Sequence, residues 1–155
     1  MTDELEPLAE VARFTKDIEI RYVECDQQGI VYNAHYLTFV DFALDHWVRS
    51  LPVEGAGESP WVTTWDVMLK RASIDWHGPA RWPETLSVHC GVSRWGRTSF
   101  DVSYRLRVGD RRVADLVITY VSVDSATHEP MVTPPEVVVA MGETVMVPTG
   151  LVGHH

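Results

Sequence analysis

Between residues 84 and 108 apolar and polar side chains alternate almost without a break. Leu86, Val88, Cys90 and Val92 interleave with Ser87, His89, Gly91 and Ser93, and Phe100, Val102, Tyr104 and Leu106 interleave with Ser99, Asp101, Ser103 and Arg105. A period of two belongs to strands with one face in a core. The pattern predicts strands over 84–95 and 97–108, joined at "WG". The "GD" at 109–110 predicts a tight turn into a further strand over 112–124. Within that strand "VADLVITYVSV" is apolar at both parities, so it belongs in the interior of the sheet. Residues 62–76 also read as a strand. Its parity changes between Leu69 and Ile74, which predicts a bulge near Arg71. An earlier strand is expected at "DIEIRYV", with Ile18, Ile20 and Tyr22 on one face and Glu19 and Arg21 on the other.

The period changes over 36–51. Thr38, Asp41, Asp45 and Arg49 recur every three to four residues, and nearly everything between them is apolar. This predicts a helix whose wide apolar surface is mostly enclosed, ending at Pro52. "PVEGAGESP" and "HGPARWP" read as turn-rich connections, and 134–143 as a short closing helix. Strand, buried helix and four antiparallel strands make an α+β fold, one long central helix wrapped by a curved sheet of about five strands. The expected layout is a flexible leader over 1–15, one domain over 16–145 and a tail over 146–155. The strand over 84–95 is the expected edge, where pairing with a second copy gives a homodimer or tetramer.

The chain has 155 residues and a net charge of −9. That size supports one domain with a real core, and that charge argues against nucleic acid as the main partner. The charge is uneven. Residues 70–112 hold nine basic and four acidic residues, a balance of +5, which suits a small anion. The acidic N-terminus lacks a signal pattern and no apolar run has membrane-spanning length, so a cytoplasmic location is expected. Two cysteines do not suggest a disulfide framework.

Motif chemistry is sparse. There is no G-x-S-x-G elbow, no phosphate loop and no dinucleotide fingerprint. The histidines have no zinc-ligand spacing, and no metal or other cofactor is expected. His35 and His46 are expected to be core histidines, and Cys25 to be packing. What stands out is Asp26, a carboxylate with no basic residue within four positions, just ahead of the helix. One reading is a turn or helix-start aspartate that satisfies free N–H groups. The other uses the same placement for acyl transfer. Gly29 permits a tight backbone approach. The carboxylate attacks or activates water, and the amides at the helix start hold the oxyanion.

Asp26, Gly29, Ile30, Val31, Tyr32 and Tyr36 form D-x-x-G-[IV]-V-[YW]-x-x-x-Y ahead of an apolar helix. This resembles the 4-hydroxybenzoyl-CoA thioesterase family, in particular its YbgC-like acyl-CoA thioesterases. "LKRASIDWHGPARWPETLSV", "SRWGRTSFDVSYRL" and "VADLVITYVSVD" continue the likeness, which covers roughly 16–140. The resemblance implies the hotdog fold, an oligomer with sites between subunits, and hydrolysis of an acyl- or aroyl-CoA. It places Asp26 as nucleophile or general base and Asn33 at the amide that polarises the thioester carbonyl. Tyr22 and Gly29 stand beside them, Val31 and Tyr32 line the substrate, and Arg97 and Ser99, helped by Arg94 or Arg71, contact CoA phosphates. Position 33 is His or Tyr in close relatives, and Gly96 and Thr98 lack basic side chains that some members carry. The other readings are a non-catalytic hotdog that binds acyl groups or serves assembly, and a thioesterase acting on acyl carrier protein.

Overall fold

The three alternating segments form one antiparallel sheet in which their apolar positions face each other in register. In the computed structural model, which describes residues 12–53, 64–148 and 151, the strands are β1 (Phe14–Glu19), β2 (Trp65–Trp76), β3 (Thr85–Trp95), β4 (Ser99–Val108) and β5 (Arg111–Asp124). Their order across the sheet is β1-β3-β4-β5-β2, with every pairing antiparallel. Val88 lies opposite Leu106, Cys90 opposite Tyr104 and Val92 opposite Val102. On the other side of β4, Tyr104 meets Leu116, Val102 meets Ile118 and Phe100 meets Tyr120. All of these are buried in one core cluster, each apolar side chain contributing about 1.5–3 kcal/mol by leaving water.

The helix α1 (His35–Ser50) buries Tyr36, Phe39, Val40, Ala43, Leu44, Trp47 and Val48 in the same core. That is the 3.6-residue repeat the sequence predicts. Leu51 closes it in an extended conformation (φ −65°, ψ 140°), as a residue before proline prefers. Enclosure is narrower than expected, because Phe42 stays 45% exposed beside Asp41 and Thr38. A short helix α2 (Pro135–Met141) follows the sheet, with proline in its first turn.

The bulge is where the parity change put it, between Leu69 and Arg71. Three expectations need correction. The first strand begins at Phe14 and ends at Glu19, because Tyr22–Glu24 wind into a 3-10 turn in which the Glu24 carboxylate takes the Arg21 N–H (2.7 Å). The strand over 84–95 is not an edge, since β3 pairs with β1 on one side and β4 on the other. The edges are β1 and β2. Finally, His35 and His46 are only half-buried. The expected leader, apart from residues 12–15, lies outside the described residues, as do 62–63, most of the Gly/Pro-rich loop and residues 149–150 and 152–155.

Beyond β1 the chain's last described segment continues along β3. Arg13 N–H donates to the Cys90 carbonyl at 2.9 Å, and two residues further along β3 the Val92 carbonyl accepts the Val145 N–H at 2.8 Å. Val145 packs over Gly91 so closely that a Cβ there would stand 2.6 Å from a valine methyl.

Candidate active site

Asp26 sits at the tip of a small loop pinned on both sides. Cys25 bridges Val31 and Ile30 bridges Arg81. Asp26 N–H donates to the Ile30 carbonyl at 2.8 Å, and Gly29 N–H to the Asp26 carbonyl at 3.0 Å. Gly29 takes φ +73°, with nothing near a built Cβ, so glycine serves conformation here and not space. The Asp26 Oδ1 accepts the N–H groups of Gln28 (2.8 Å) and Ile30 (3.3 Å). Among the described residues Oδ2 accepts no hydrogen bond, and the side chain is exposed. The carboxylate therefore closes its own loop with one oxygen and leaves the other to solvent. It does not cap the helix, whose start at Ala34 has no side-chain cap.

Asn33 stands exposed in the turn before α1, where His35 N–H donates to Tyr32 (2.9 Å) and Tyr36 N–H to Asn33 (3.4 Å). Asn33, Ile30, Val31 and Tyr36 line one wall of a cavity of about 400 Å³, and Trp76, His77, Gly78 and Pro79 line the other. Ile30 thus links the Asp26 loop to the cavity and the helix start. The Tyr36 hydroxyl accepts the Ala80 N–H at 3.4 Å, and burial pushes its acidity down, raising its pKa. His77 is tied by Nε2 to the buried Asp115 carboxylate (3.0 Å), which Arg105 also holds (2.8 Å).

The remaining expected site residues divide. Tyr22 and Tyr32 are exposed near the loop. Val31 is fully buried in the core cluster, with its N–H on Ala80 (2.9 Å). Cys25, expected as packing and not as a site residue, is half-buried, its thiol 3.8 Å from the Arg21 carbonyl. Arg97 is exposed at the β3–β4 hairpin with no ion pair among the described residues. Arg94, expected on phosphate, instead grips the buried Asp101 with two nitrogens (3.0 and 3.1 Å) and also reaches Ser99 Oγ (3.2 Å). Arg71 lies exposed at the β2 bulge, opposite Thr119. Arg94, Arg97 and Asp26 do not converge within one chain. The 96–98 hairpin stands at one end of β3 and the Asp26 loop, bridged to Arg81, at the other, on the order of 30 Å away. The sequence reading missed Trp76, which it took only as the end of a strand, and His77, because "HGPARWP" carries a turn signal that masks what its side chains do.

A family model described as "Thioesterase-like superfamily" matches residues 20–141. Among solved structures, a thioesterase-superfamily protein from Jannaschia sp. CCS1 superposes with a TM-score of 0.77 at 19% identity, over 85% of this chain and 92% of that one. A 1,4-dihydroxy-2-naphthoyl-CoA thioesterase from Synechocystis gives 0.68 at 20% identity, over 83% and 94%. A thioesterase from Thermus thermophilus, complexed with coenzyme A and Zn, gives 0.72 at 16% identity, over 85% and 93%. No curated protein matches the chain. At these identities the structural likeness is one of fold, an α+β arrangement consistent with the hotdog. Among the described residues no helix is long and apolar enough to cross a membrane.

Proposed function

The chain belongs to the thioesterase-like superfamily, and from that premise we propose that it hydrolyses an acyl- or aroyl-CoA thioester to the free acid and CoA, as a YbgC-like hotdog enzyme with α1 as the enclosed helix. The observation that carries this is the Asp26 carboxylate, fixed by Oδ1 on two loop amides with Oδ2 unbonded among the described residues, in a loop whose Ile30 lines the cavity at the start of α1. A carboxylate held in one orientation before substrate arrives needs no reorganisation in the reaction. As nucleophile, Oδ2 bonds to the acyl carbon, the C–S bond breaks, and the CoA thiolate leaves. Water then hydrolyses the mixed anhydride and frees the carboxylate. As general base, Asp26 takes a proton from water, the water oxygen bonds to the acyl carbon, and the proton passes to the departing thiolate. In both routes the partial positive charge at the start of α1, near Asn33, stabilises the developing oxyanion.

Coenzyme A in one structural neighbour supports a CoA carrier. Arg97 is the phosphate contact this reading favours, since Arg94 is neutralised by Asp101. Because Arg97 and Asp26 occupy opposite ends of the sheet, one chain does not supply both. Of the two edges, β2 leaves Met68, Leu69 and Trp76 about half in solvent. Antiparallel pairing of two β2 edges about a two-fold axis carries the Arg97 end of one copy toward the Asp26 end of the other. The reading is therefore a homodimer at least, with sites shared between copies.

The second reading is a non-catalytic acyl-binding module, favoured by the use of Oδ1 to close a loop, which a purely structural aspartate also does. Thiol release from a panel of acyl-CoA and acyl carrier protein thioesters separates the two. Turnover of CoA esters is expected, and no turnover on any thioester overturns the enzyme. A monomeric mass by light scattering at micromolar concentration overturns the shared site.

A further inference from the structure

Two aromatic rings flank the Asp26 loop and are left largely to solvent. Tyr22 belongs to the turn that leads into the loop, and its carbonyl accepts the Cys25 N–H at 3.0 Å. Trp82 follows Arg81, whose backbone bridges Ile30 on the loop's other side. The rings meet edge to face, centroids 5.8 Å apart and planes at 89°. Tyr22 is 74% exposed and Trp82 52%. Scattered exposed apolar residues are ordinary on a protein surface, but two touching rings with Val23 (72% exposed) beside them form a patch. Set at right angles, the rings make a corner with two apolar walls, and a chain or ring laid into it is covered from two sides. The corner is held in place without a ligand. Arg81 N–H donates to Glu84 Oε1 at 2.7 Å, Arg111 pairs with the same carboxylate, and the Tyr22 turn is closed by Glu24 on the Arg21 N–H. Preorganised walls of this kind add affinity without an ordering cost.

We propose that the Tyr22–Trp82 corner receives the far, apolar part of the acyl group whose carbonyl meets Asp26, and that Trp82 sets the preference for an extended alkyl chain or an aryl ring over an acetyl-sized group. This rests on the thioesterase reading of Asp26. The occupant follows from position. Both rings are carried by the segments that pin the Asp26 loop, so an apolar group extending from a thioester at that loop meets the corner they form. An acetyl group has no surface to place there and gains nothing from it.

The test compares acetyl-CoA, octanoyl-CoA and benzoyl-CoA with the wild-type chain, Trp82→Ala and Trp82→Phe, alongside binding of the non-hydrolysable thioethers S-octyl-CoA and S-methyl-CoA. Wild type prefers the octanoyl and benzoyl esters. Trp82→Ala lowers the octanoyl-to-acetyl ratio of kcat/KM about tenfold, within the range that a few apolar contacts discriminate. Trp82→Ala weakens S-octyl-CoA relative to S-methyl-CoA by a similar factor, and Trp82→Phe restores most of both. An octanoyl-to-acetyl ratio that is the same in wild type and Trp82→Ala overturns the proposal. So does a changed mass by light scattering with an unchanged ratio, which assigns the corner to an interface between copies. If wild type binds S-octyl-CoA through Trp82 yet hydrolyses no thioester, the corner stands and the thioesterase reading falls. If wild type binds no S-octyl-CoA, the corner falls.

Discussion

Arg94 and Asp101 face each other across the β3–β4 hairpin, joined by two hydrogen bonds of 3.0 and 3.1 Å, with the aspartate fully buried. Thr119 adds a third bond to the same carboxylate at 2.7 Å. Removing the arginine takes two charge-assisted hydrogen bonds from a buried carboxylate, at a cost of about 3 kcal/mol. Arg94→Ala should therefore lower the denaturant midpoint strongly. Arg97→Ala, three residues away and exposed, should leave the midpoint in place and raise the KM for CoA esters about tenfold, the loss of one contact of about 1.4 kcal/mol made equally to substrate and transition state. Urea titrations and steady-state kinetics on the two variants check this, and an unchanged KM for Arg97→Ala assigns that side chain to solvent.

Gly91 and Val145 make a second mechanical pair. A methyl added at Gly91 collides with both Val145 methyls, at 2.6 and 2.7 Å. Gly91→Ala should destabilise by about 1–3 kcal/mol, the usual result of overpacking. Val145→Ala should relieve much of that in the double variant. A double-mutant cycle with no coupling between the two positions would show that the segment after α2 does not seat against β3 in solution.

His89 lies on β3, with Nδ1 3.1 Å from the Thr15 hydroxyl. Burial, then the nearby Arg107, lowers its pKa from the ordinary 6.5, with Asp17 opposing. Below that ordinary value the unfolded chain takes a proton at His89 that the folded chain refuses. Stability is thus full above about pH 6.5 and is lost as pH falls through the lowered value. The thermal midpoint should drop between pH 7 and 5, and His89→Gln should flatten part of that drop. Parallel slopes for the two proteins would mean that His89 is solvated in both states.

The elements most legible in the sequence are those whose periodicity reports burial. Leu86 to Val92, Phe100 to Leu106 and Tyr36 to Val48 face the core as their spacing predicts. Edges were less legible. Ser87, His89, Gly91 and Ser93 suggest an exposed β3, but polarity of a face says nothing about hydrogen bonding in the plane of the sheet, where β3 is paired on both sides. The end of β1 was hidden for a similar reason. Alternation runs on to Tyr22, while the turn is imposed by the Glu24 carboxylate on the Arg21 amide, a bond that no periodicity records. At the site, the isolation of Asp26 could be read directly. Which amides it would take, and which arginine Asp101 would neutralise, depend on loop geometry and strand register.

The role of Asp26 as nucleophile or base stands or falls on the Asp26→Asn exchange. The carboxamide oxygen can still accept the Gln28 and Ile30 N–H groups that Oδ1 holds at 2.8 and 3.3 Å, so the loop and the fold should persist. Both the nucleophile and the base need an ionised carboxylate, and losing it should lower kcat by at least ~100-fold. The measurement is thiol release from the best acyl-CoA substrate by wild type and Asp26→Asn, with thermal unfolding of both in the same buffer. A collapse in kcat with an unchanged unfolding midpoint is expected; near-normal turnover by a folded Asp26→Asn would overturn the catalytic role and leave Asp26 as a loop-closing aspartate.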